Sequence, residues 1–353
     1  MLWFVRGMSP NASSAFCCAQ TEKKMAEDVV TLLVADIGGT HSRFALYTYE
    51  MGKRLALLRT RSFSTQDHFC FAHLLTSLKS SPDFLVPAID CAVIAGPGPV
   101  VGSVCTPTNI SWPIEGEEVT SRLNIRNVFV INDLMAHGYA CLLAGEASGS
   151  NLLDTTRLWP GDGQSCSSSS PMIIVGCGTG CGKAIVLPEQ NLVLPSEGGN
   201  AVYPFVGQDE WSFCRYLSER LCVREVTCDH VLSMRGFALL YTYHGGGDLL
   251  PEDIGTMLRS KDHKPDYALD TSQEWFAKFL GRMVRNFALE TIPLNGVYIL
   301  GGMAEPNHPN FLPAMQNSLT HADLLARIPV YHMRSPQSGL YGAAYFATLH
   351  MFS

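Results

Sequence analysis

The sequence predicts an α/β protein built from two domains with a cleft between them. Short apolar runs alternate with segments of helical periodicity, which is typical of layered α/β folds. The same order of elements occurs in both halves of the chain, which indicates a duplicated domain. At 353 residues the chain is long enough to form two hydrophobic cores.

The first half is predicted to contain three strands, a helix, a fourth strand and, after a connection, a fifth. A turn at 51–53 separates the second and third strands. The helix is placed at 68–78 because four apolar residues share one of its faces: Phe71, Leu74, Leu75 and Leu78. The predicted strands are 31–35, 43–49, 55–63, 89–95 and 127–131.

The second half is predicted to repeat this order. Its best helical segment is 274–290, where Thr271 and Glu274 have the spacing of a capping box. One apolar stripe runs along this helix: Phe276, Leu280, Met283 and Phe287. The predicted strands are 172–175, 183–187, 191–194, 296–300 and 328–331. A segment rich in serine and glycine at 161–171 is expected to be a loop.

A glycine-rich turn follows the first strand and leads directly into a hairpin. The amides of Gly38, Gly39 and Thr40 can hold phosphate oxygens in a concave nest, and the Thr40 hydroxyl can add a hydrogen bond. Asp36 can orient Mg²⁺ through water, because Mg²⁺ keeps much of its hydration. The alternative is an ordinary tight turn with no ligand.

A second glycine-rich turn, at 176–182, follows the strand at 172–175. It fails the dinucleotide fingerprint because Cys181 stands at the last glycine position. It also fails the P-loop pattern, since Cys177 and Ala184 replace required residues. A hairpin whose amides at 178–180 and Thr179 hydroxyl hold phosphates remains, and a mobile glycine loop is the alternative.

Asn132 and Asp133 follow the buried strand at 127–131. A carboxylate at a strand end, opposite two phosphate-binding turns, suits a general base that accepts the proton of an attacking hydroxyl. The competing interpretation is an Asx cap at the start of a helix over 134–144. Spacing alone favours the cap.

Two further segments carry weaker signals. Glu197 lies in a turn after the second hairpin and can accept hydrogen bonds from the hydroxyls of a polyol. Gly301 and Gly302 can let a flat adenine lie against the backbone. In both segments a plain turn is the alternative.

Composition restricts the possible partners. The net charge of −7 disfavours nucleic acid and anionic membranes, because both require basic surface. No apolar stretch reaches the ~18 residues of a membrane span. The first 26 residues contain the basic residues Arg6, Lys23 and Lys24, have no acidic residue before Glu22 and resemble a weak organellar presequence, with a simple extension as the alternative. We expect a cytoplasmic protein, and a homodimer is one expectation for its assembly.

Six short motifs occur in order: Asp-Ile-Gly-Gly-Thr at 36–40, Ile-Asn-Asp at 131–133, Gly-Cys-Gly-Thr-Gly at 176–180, Leu-Pro-Ser-Glu-Gly-Gly at 194–199, Leu-Gly-Gly at 300–302 and Ser-Pro-Gln-Ser-Gly-Leu at 335–340. In this order they resemble bacterial-type glucokinases, which belong to the actin/hexokinase/Hsp70 ATPase superfamily. The resemblance covers residues 30 to 347, nearly the whole folded chain. It implies a two-domain actin-like (ribonuclease H-like) ATPase fold with an interdomain cleft.

The resemblance implies an ATP:glucose 6-phosphotransferase that uses ATP and Mg²⁺. Asp133 would deprotonate the 6-hydroxyl of the sugar, and the sugar would be contacted by Asn109, Asn132 and Glu197. The turns at 38–40 and 178–180 would hold phosphates, and Gly301 and Gly302 would lie beside the adenosine. A small domain would comprise 28–131 plus 334–353, a large domain 132–333, and residues 1–27 would be an extension.

Two positions depart from the family pattern on the sugar side. Asn200 stands where the family has histidine, and Asp229 aligns with a sugar-binding glutamate. Each change can leave a sugar hydroxyl unpaired, at a cost of about 1–3 kcal/mol per group. A kinase of an amino sugar or fructose therefore stays open, as does a binding protein of the same fold with impaired catalysis.

Overall fold

Two β-sheets with the same topology form the framework of the molecule. The computed structural model describes residues 29–82, 84, 88–144, 153–161, 169–259, 265–301 and 306–351. The predicted extension at 1–27, Gly302 and most of the predicted loop at 161–171 lie outside the described residues. Among the described residues, no helix is both long enough and apolar enough to cross a membrane.

The first sheet has the strand order β3-β2-β1-β4-β8. Strand β2 is antiparallel to both of its neighbours, whereas β1, β4 and β8 run parallel. A small three-stranded sheet, β5-β6-β7, lies in the connection before β8. In chain order these elements are β1 (Val30–Ile37), β2 (His41–Tyr49), β3 (Ala56–Ser64), α1 (Phe71–Lys79), β4 (Cys91–Gly96), β5 (Val100–Val101), β6 (Val104–Cys105), β7 (Ile114–Glu115), α2 (Gly116–Leu123), β8 (Asn127–Asn132) and α3 (Asp133–Ala144).

The second sheet repeats the first and adds one strand at its edge. Its order is β12-β11-β10-β13-β14-β9, with β10, β13 and β14 parallel and the others antiparallel to their neighbours. The repeated order predicted from the sequence is therefore confirmed. The elements are β9 (Thr155–Trp159), β10 (Met172–Cys177), β11 (Cys181–Leu187), β12 (Leu192–Ser196), α4 (Gln208–Leu221), α5 (Cys228–Val231), α6 (Met234–Tyr243), α7 (Pro251–Arg259), α8 (Tyr267–Thr291), β13 (Val297–Leu300), α9 (Phe311–Gln316), α10 (Ala322–Ala326), β14 (Val330–Met333) and α11 (Ser338–His350).

Helices α3 and α11 pack between the two sheets. One hydrophobic cluster contains residues of both helices together with inward-facing residues of both sheets, such as Val93 and Ile174. The outer face of the first sheet packs against α1 and α2, and the outer face of the second packs against helices that include α4, α6 and α8. This layering places the C-terminal ends of the parallel strands near the first turn of α3.

Several predicted boundaries differ from the structure. The helix predicted at 68–78 begins at Phe71, although its four apolar residues are buried as predicted. The predicted capping box at Thr271 and Glu274 is wrong, because α8 begins at Tyr267 and is capped by Asp266, whose Oδ1 accepts from the Leu269 N–H. Strands β5, β6 and β7 were not predicted because each is only two residues long. Strand β9 was not predicted because it pairs with β14, far along the chain.

Candidate active site

A cleft with a volume of about 910 Å³ is lined by residues of both sheets. Both glycine-rich turns, the first turn of α3, the segment after β12 and the start of α5 contribute to its wall. Of the predicted site residues, Thr40 is exposed and does not line the cleft. Apart from Gly302, which is not described, the others all line it.

The two glycine-rich turns approach each other across this cleft. The Gly38 N–H donates to the His41 carbonyl at 2.9 Å, which closes the first hairpin. A Cβ added at Gly39 would lie 3.6 Å from the Thr179 Cγ2 atom of the second turn. The structure thus brings together backbone amides from both halves of the chain.

The second turn is held at three points and is not a loose loop. The Gly178 N–H donates to the Gly180 carbonyl at 2.9 Å, and the Gly178 carbonyl accepts from the Met234 N–H at 2.9 Å. The Cys181 N–H donates to Oδ1 of Asp229 at 2.7 Å. These contacts fix the backbone that faces the first turn.

The helix cap and the candidate base are different residues. Oδ1 of Asn132 accepts from the Leu134 N–H at 2.9 Å and from the Met135 N–H at 3.4 Å, so Asn132 caps α3. Its side-chain amide donates to the Gly98 carbonyl at 3.2 Å. Asp133 is the first residue of α3, and its Oδ1 accepts from the Leu134 N–H at 2.8 Å.

The surroundings of Asp133 favour its protonated form. Burial is the largest effect, the Asp36 carboxylate adds to it, and Glu197 contributes less. The hydrogen bond from the Leu134 N–H opposes these effects, and together they raise the pKa of Asp133 to about 7. A carboxyl group with this pKa can exchange a proton near neutral pH.

Asp36 lies at the end of β1, with little solvent exposure. Nη1 of Arg43, the residue directly opposite on β2, is 3.5 Å from its Oδ2. A Cβ added at Gly339 would lie 3.3 Å from Oδ2 of Asp36 and 3.3 Å from Cε1 of His137, so both side chains meet the start of α11. His137 also forms a 2.8 Å hydrogen bond with Oγ of Ser338.

The sequence analysis did not assign Arg43 and His137 to the site. The hairpin register would have identified Arg43, because it faces Asp36 across β1 and β2. Helical spacing would have identified His137, which follows Asp133 by one turn of α3.

The predicted sugar-side residues form a polar wall. A Cβ at Gly39 would lie 3.2 Å from Nδ2 of Asn109, so Asn109 abuts the first turn. Nδ2 of Asn200 donates to Oε2 of Glu197 at 3.3 Å. Asp229 supports the second turn through its contact with Cys181, in addition to lining the cleft.

Gly301 closes the wall near the end of β13. Its φ is +101°, and a Cβ there would lie only 1.9 Å from the Cys177 carbonyl oxygen. Only glycine permits both the positive φ and this close approach. At Gly301 the wall of the cleft therefore consists of main-chain atoms that no side chain covers.

The comparisons with known proteins agree with this geometry. The family model described as Glucokinase matches residues 33–350. The glucokinase of Nostoc punctiforme is 28% identical over 347 residues, covering 89% of this chain and 97% of its own. The glucokinase of Rhizobium meliloti is 28% identical over 331 residues, covering 90% and 91%.

Solved structures share the fold. A glucokinase from Balamuthia mandrillaris in complex with glucose has a TM-score of 0.74 at 20% identity and covers 94% of this chain and 98% of its own. A ROK family glucokinase from Streptomyces griseus in complex with glucose and AMPPNP has a TM-score of 0.60 at 16% identity, with coverages of 91% and 100%. These likenesses confirm the actin-like fold class, and the family model establishes that the chain belongs to the glucokinase family.

Proposed function

We propose that this chain is an ATP-dependent glucokinase, which transfers the terminal phosphoryl group of ATP to the 6-hydroxyl of glucose. The observation that carries the proposal is the position of Asp133. It lies on the cleft wall beside two facing glycine-rich turns, with its pKa raised to about 7. Membership of the family supports the reaction class.

Asp133 is the general base in this proposal. Its Oδ1 is oriented by the Leu134 N–H, and the carboxylate accepts the proton as the hydroxyl attacks phosphorus. Positioning supplies most of the acceleration in phosphoryl transfer, so the fixed orientation matters as much as basicity.

The two turns bind the phosphates in this proposal. The Gly38 and Gly178 N–H groups close their own hairpins, so the amides proposed to hold phosphate oxygens are those of Gly39, Thr40, Thr179 and Gly180, and Thr179 adds its hydroxyl. Thr40 contributes through its amide, since its side chain lies outside the cleft lining. Gly301 lies by the adenosine, and Gly302 keeps the same proposed role.

A magnesium ion fits the residues of the phosphate side. Asp36 brings a hard carboxylate ligand close to a second carboxylate, Asp133, as the effect of Asp36 on the Asp133 pKa shows. No group of three or more His, Cys, Asp or Glu residues among the described positions is arranged to hold a metal, which suits an ion held by Asp36 through water and by substrate phosphates. When bound, the ion neutralises phosphate charge.

The sugar contacts proposed are Asn109, Asn132, Glu197, Asn200 and Asp229. Asn132 uses its oxygen as a helix cap and one amide N–H on the Gly98 carbonyl, so its second N–H is the group proposed to bind the sugar. Asp229 has one oxygen on the Cys181 N–H, so the other serves the sugar. Because these side chains already make hydrogen bonds within the protein, fewer of their polar groups remain to discriminate between hexoses.

A panel of sugars tests the proposal. ADP release is measured with glucose, mannose, fructose, glucosamine and N-acetylglucosamine at saturating MgATP. Glucose is expected to give the highest kcat/KM. A preference for an amino sugar or fructose would replace the substrate and keep the reaction, whereas no sugar-dependent ADP release would favour a binding protein.

We also propose that the protein acts in the cytoplasm and assembles as a homodimer. Both proposals rest on composition and on the resemblance to bacterial glucokinases. Fractionation of the source cells tests the first. Sedimentation equilibrium tests the second.

A further inference from the structure

Two thiols flank the second glycine-rich turn. Cys177 ends β10 and Cys181 begins β11, and the two residues pair directly across the hairpin. The Gly178 N–H donates to the Gly180 carbonyl, so the adjacent pair, Cys177 and Cys181, is a non-hydrogen-bonded pair. Side chains approach most closely at such pairs, and the Cys177 side chain is the largest influence on the pKa of the Cys181 thiol.

This arrangement matches the geometry that a disulfide requires. The Cα atoms of a non-hydrogen-bonded pair are about 4.5 Å apart, and disulfides join Cα atoms about 4.4–6.8 Å apart. The nine cysteines in the described part of the chain are free thiols. The backbone positions of Cys177 and Cys181 are therefore compatible with a bond between them.

The two cysteines differ in their exposure at the cleft. Cys177 and Cys181 line its wall, and Cys181 is partly exposed whereas Cys177 is fully buried. A reagent that enters the cleft therefore meets Cys181 first. Cys177 lies directly behind it.

The backbone around the pair contacts several parts of the candidate site. A Cβ at Gly301 would lie 1.9 Å from the Cys177 carbonyl oxygen, and one at Gly199 would lie 1.8 Å from the Cys181 carbonyl oxygen. The Cys181 N–H is bonded to Asp229. Any shift that accompanies a new bond at the pair is thus transmitted to the turn at 178–180, to Gly301 and to the sugar side.

We propose that Cys177 and Cys181 form a thiol-modification site that switches phosphoryl transfer off. A small disulfide such as oxidised glutathione converts the pair into an intramolecular disulfide that closes around the turn at 178–180. The bond deforms the amides that face the first turn. Reduction by a dithiol restores them.

The chemistry is ordinary thiol–disulfide exchange. The Cys181 thiolate attacks the S–S bond of the reagent, a mixed disulfide forms and one glutathione leaves as the thiol. The Cys177 thiolate then attacks the Cys181 sulfur, the Cys177–Cys181 bond forms and the second glutathione leaves. The protons of the two cysteines end on the two glutathione thiols.

The exchange is slow at neutral pH and accelerates as pH rises. The hydrogen bond with Cys177, burial and the Asp229 carboxylate raise the pKa of the Cys181 thiol well above its usual range, and the Lys183 ammonium opposes them. Cys228 is a further titratable neighbour. Because the thiolate is the nucleophile, a raised pKa lowers the rate at neutral pH.

The test treats the full-length protein with oxidised glutathione and follows both sugar-dependent ADP release and the cysteine-containing peptides by mass spectrometry. The wild type is expected to lose activity by about a hundredfold, the size of effect that follows from displacing catalytic groups by ~1 Å. A peptide two hydrogen atoms lighter, with Cys177 joined to Cys181, accompanies the loss. MgATP slows both changes, and dithiothreitol reverses them.

Variants separate this site from other thiols. Cys181→Ser is expected to keep its own starting rate under the same treatment, whereas Cys222→Ser, at an exposed cysteine on the end of α4, responds like the wild type. Phenylarsine oxide, which bridges neighbouring thiols, should inhibit the wild type reversibly and spare Cys181→Ser, so the test does not depend on a stable Cys177 variant.

Equal loss of activity in Cys181→Ser would overturn the proposal. A disulfide that joins Cys181 to Cys228, or no disulfide at all, would overturn it equally. The disulfide is measured by mass whatever the sugar substrate is. A failed substrate assignment and a failed thiol site are therefore distinguishable.

Discussion

Asp133 has a higher proton affinity than an ordinary aspartate because three effects act on the same carboxyl group. Burial removes water from its charged form, and the carboxylates of Asp36 and Glu197 repel a second negative charge. Two backbone N–H groups oppose them, that of Leu134 and that of Asp133 itself. The pKa of about 7 places this residue, which the sequence alone favoured as a cap, within the working range of a general base.

The pH dependence of the rate tests this electrostatic origin. We expect kcat/KM to fall below about pH 7, because Asp133 becomes protonated. Asp36→Asn should lower the rate. The pH below which its remaining kcat/KM falls should also be lower than in the wild type, because the variant lacks a carboxylate that raises the Asp133 pKa. If kcat/KM of the variant fell at the same pH as that of the wild type, the assignment of this fall to Asp133 would be contradicted.

The raised pKa also predicts a stability effect. A carboxyl whose folded pKa lies near 7, above its ordinary value of 3.8, weakens folding at pH values above that ordinary value. Asp133→Asn removes this penalty and should raise the free energy of unfolding at pH 8 by a few kcal/mol, on the order of 1.4 kcal/mol per pKa unit. The gain should vanish towards pH 3.8. If chemical denaturation at pH 8 showed Asp133→Asn to be less stable than the wild type, the raised pKa of Asp133 would be contradicted.

At the scale of elements, α4 and α8 are joined by a buried ion pair. Glu210 accepts from Nη1 and Nη2 of Arg282, from Nζ of Lys278 at 2.8 Å and from the Val206 N–H at 2.8 Å. Burial raises the pKa of Glu210, but these hydrogen bonds outweigh it and hold the pKa below its ordinary value. Glu210 therefore stabilises the fold above that ordinary value, and this contribution is lost as the pH falls through the folded pKa.

Glu210→Gln should lower the free energy of unfolding at pH 7 by about 3–5 kcal/mol, because it leaves the buried Arg282 guanidinium uncompensated. Its matched control is Glu219→Gln, at an exposed position of the same helix, which should change stability by less than about 0.5 kcal/mol. Urea denaturation checks both variants. Equal stability of Glu210→Gln and the wild type would refute the role of the ion pair.

The contact between α3 and α11 depends on a glycine. A Cβ at Gly342 would lie 1.8 Å from the Ala136 carbonyl oxygen, so Gly342→Ala should push the two helices apart. We expect a loss of about 3 kcal/mol or more, since the clash is with backbone. Gly247→Ala, where a Cβ would meet nothing within 4 Å, is the control for the residue type. Thermal unfolding of the two variants should differ clearly, and similar midpoints would contradict this packing.

Local sequence patterns predicted the strands and helices better than they predicted which elements pair or pack together. The hairpins β1–β2 and β10–β11 were predictable because an apolar run, a glycine turn and a second run are adjacent in sequence. Strand β9 was not, because it pairs with β14 far along the chain. The start of α8 was missed since Thr271 and Asp266 both precede good helical sequence, and only packing against α6 and α9 selects the earlier residue.

The candidate site was likewise predictable where its residues are adjacent in the sequence, and not where they depend on contacts between distant segments. Motifs gave both turns, Asp133 and the sugar-side residues, because each motif is contiguous. They did not give Arg43, which depends on strand register, or the double role of Asp229, which depends on a contact with Cys181 48 positions away. They also gave no reason to separate Asn132 as the cap from Asp133 as the base.

At the scale of the whole molecule, a duplicated sheet explains why the cleft is where it is. Strand β1 of the first sheet and strand β10 of the second each end in a glycine-rich hairpin, and α3 and α11 pack between the sheets that carry these hairpins. The proposed base, Asp133, lies at the start of one of these helices, α3, and Ser338, the partner of His137, begins the other. Relative movement of the sheets would open or close the cleft and exclude water from the transfer step.

The rate and binding of Asp133→Asn test the central claim most directly. We predict that glucose-dependent ADP release falls by at least about a thousandfold, since both the base and its charge are lost. Calorimetry should still detect glucose and ATP binding, and Asp209→Asn, at an exposed carboxylate on α4, should keep the wild-type rate. Turnover of Asp133→Asn within tenfold of the wild type would contradict the account.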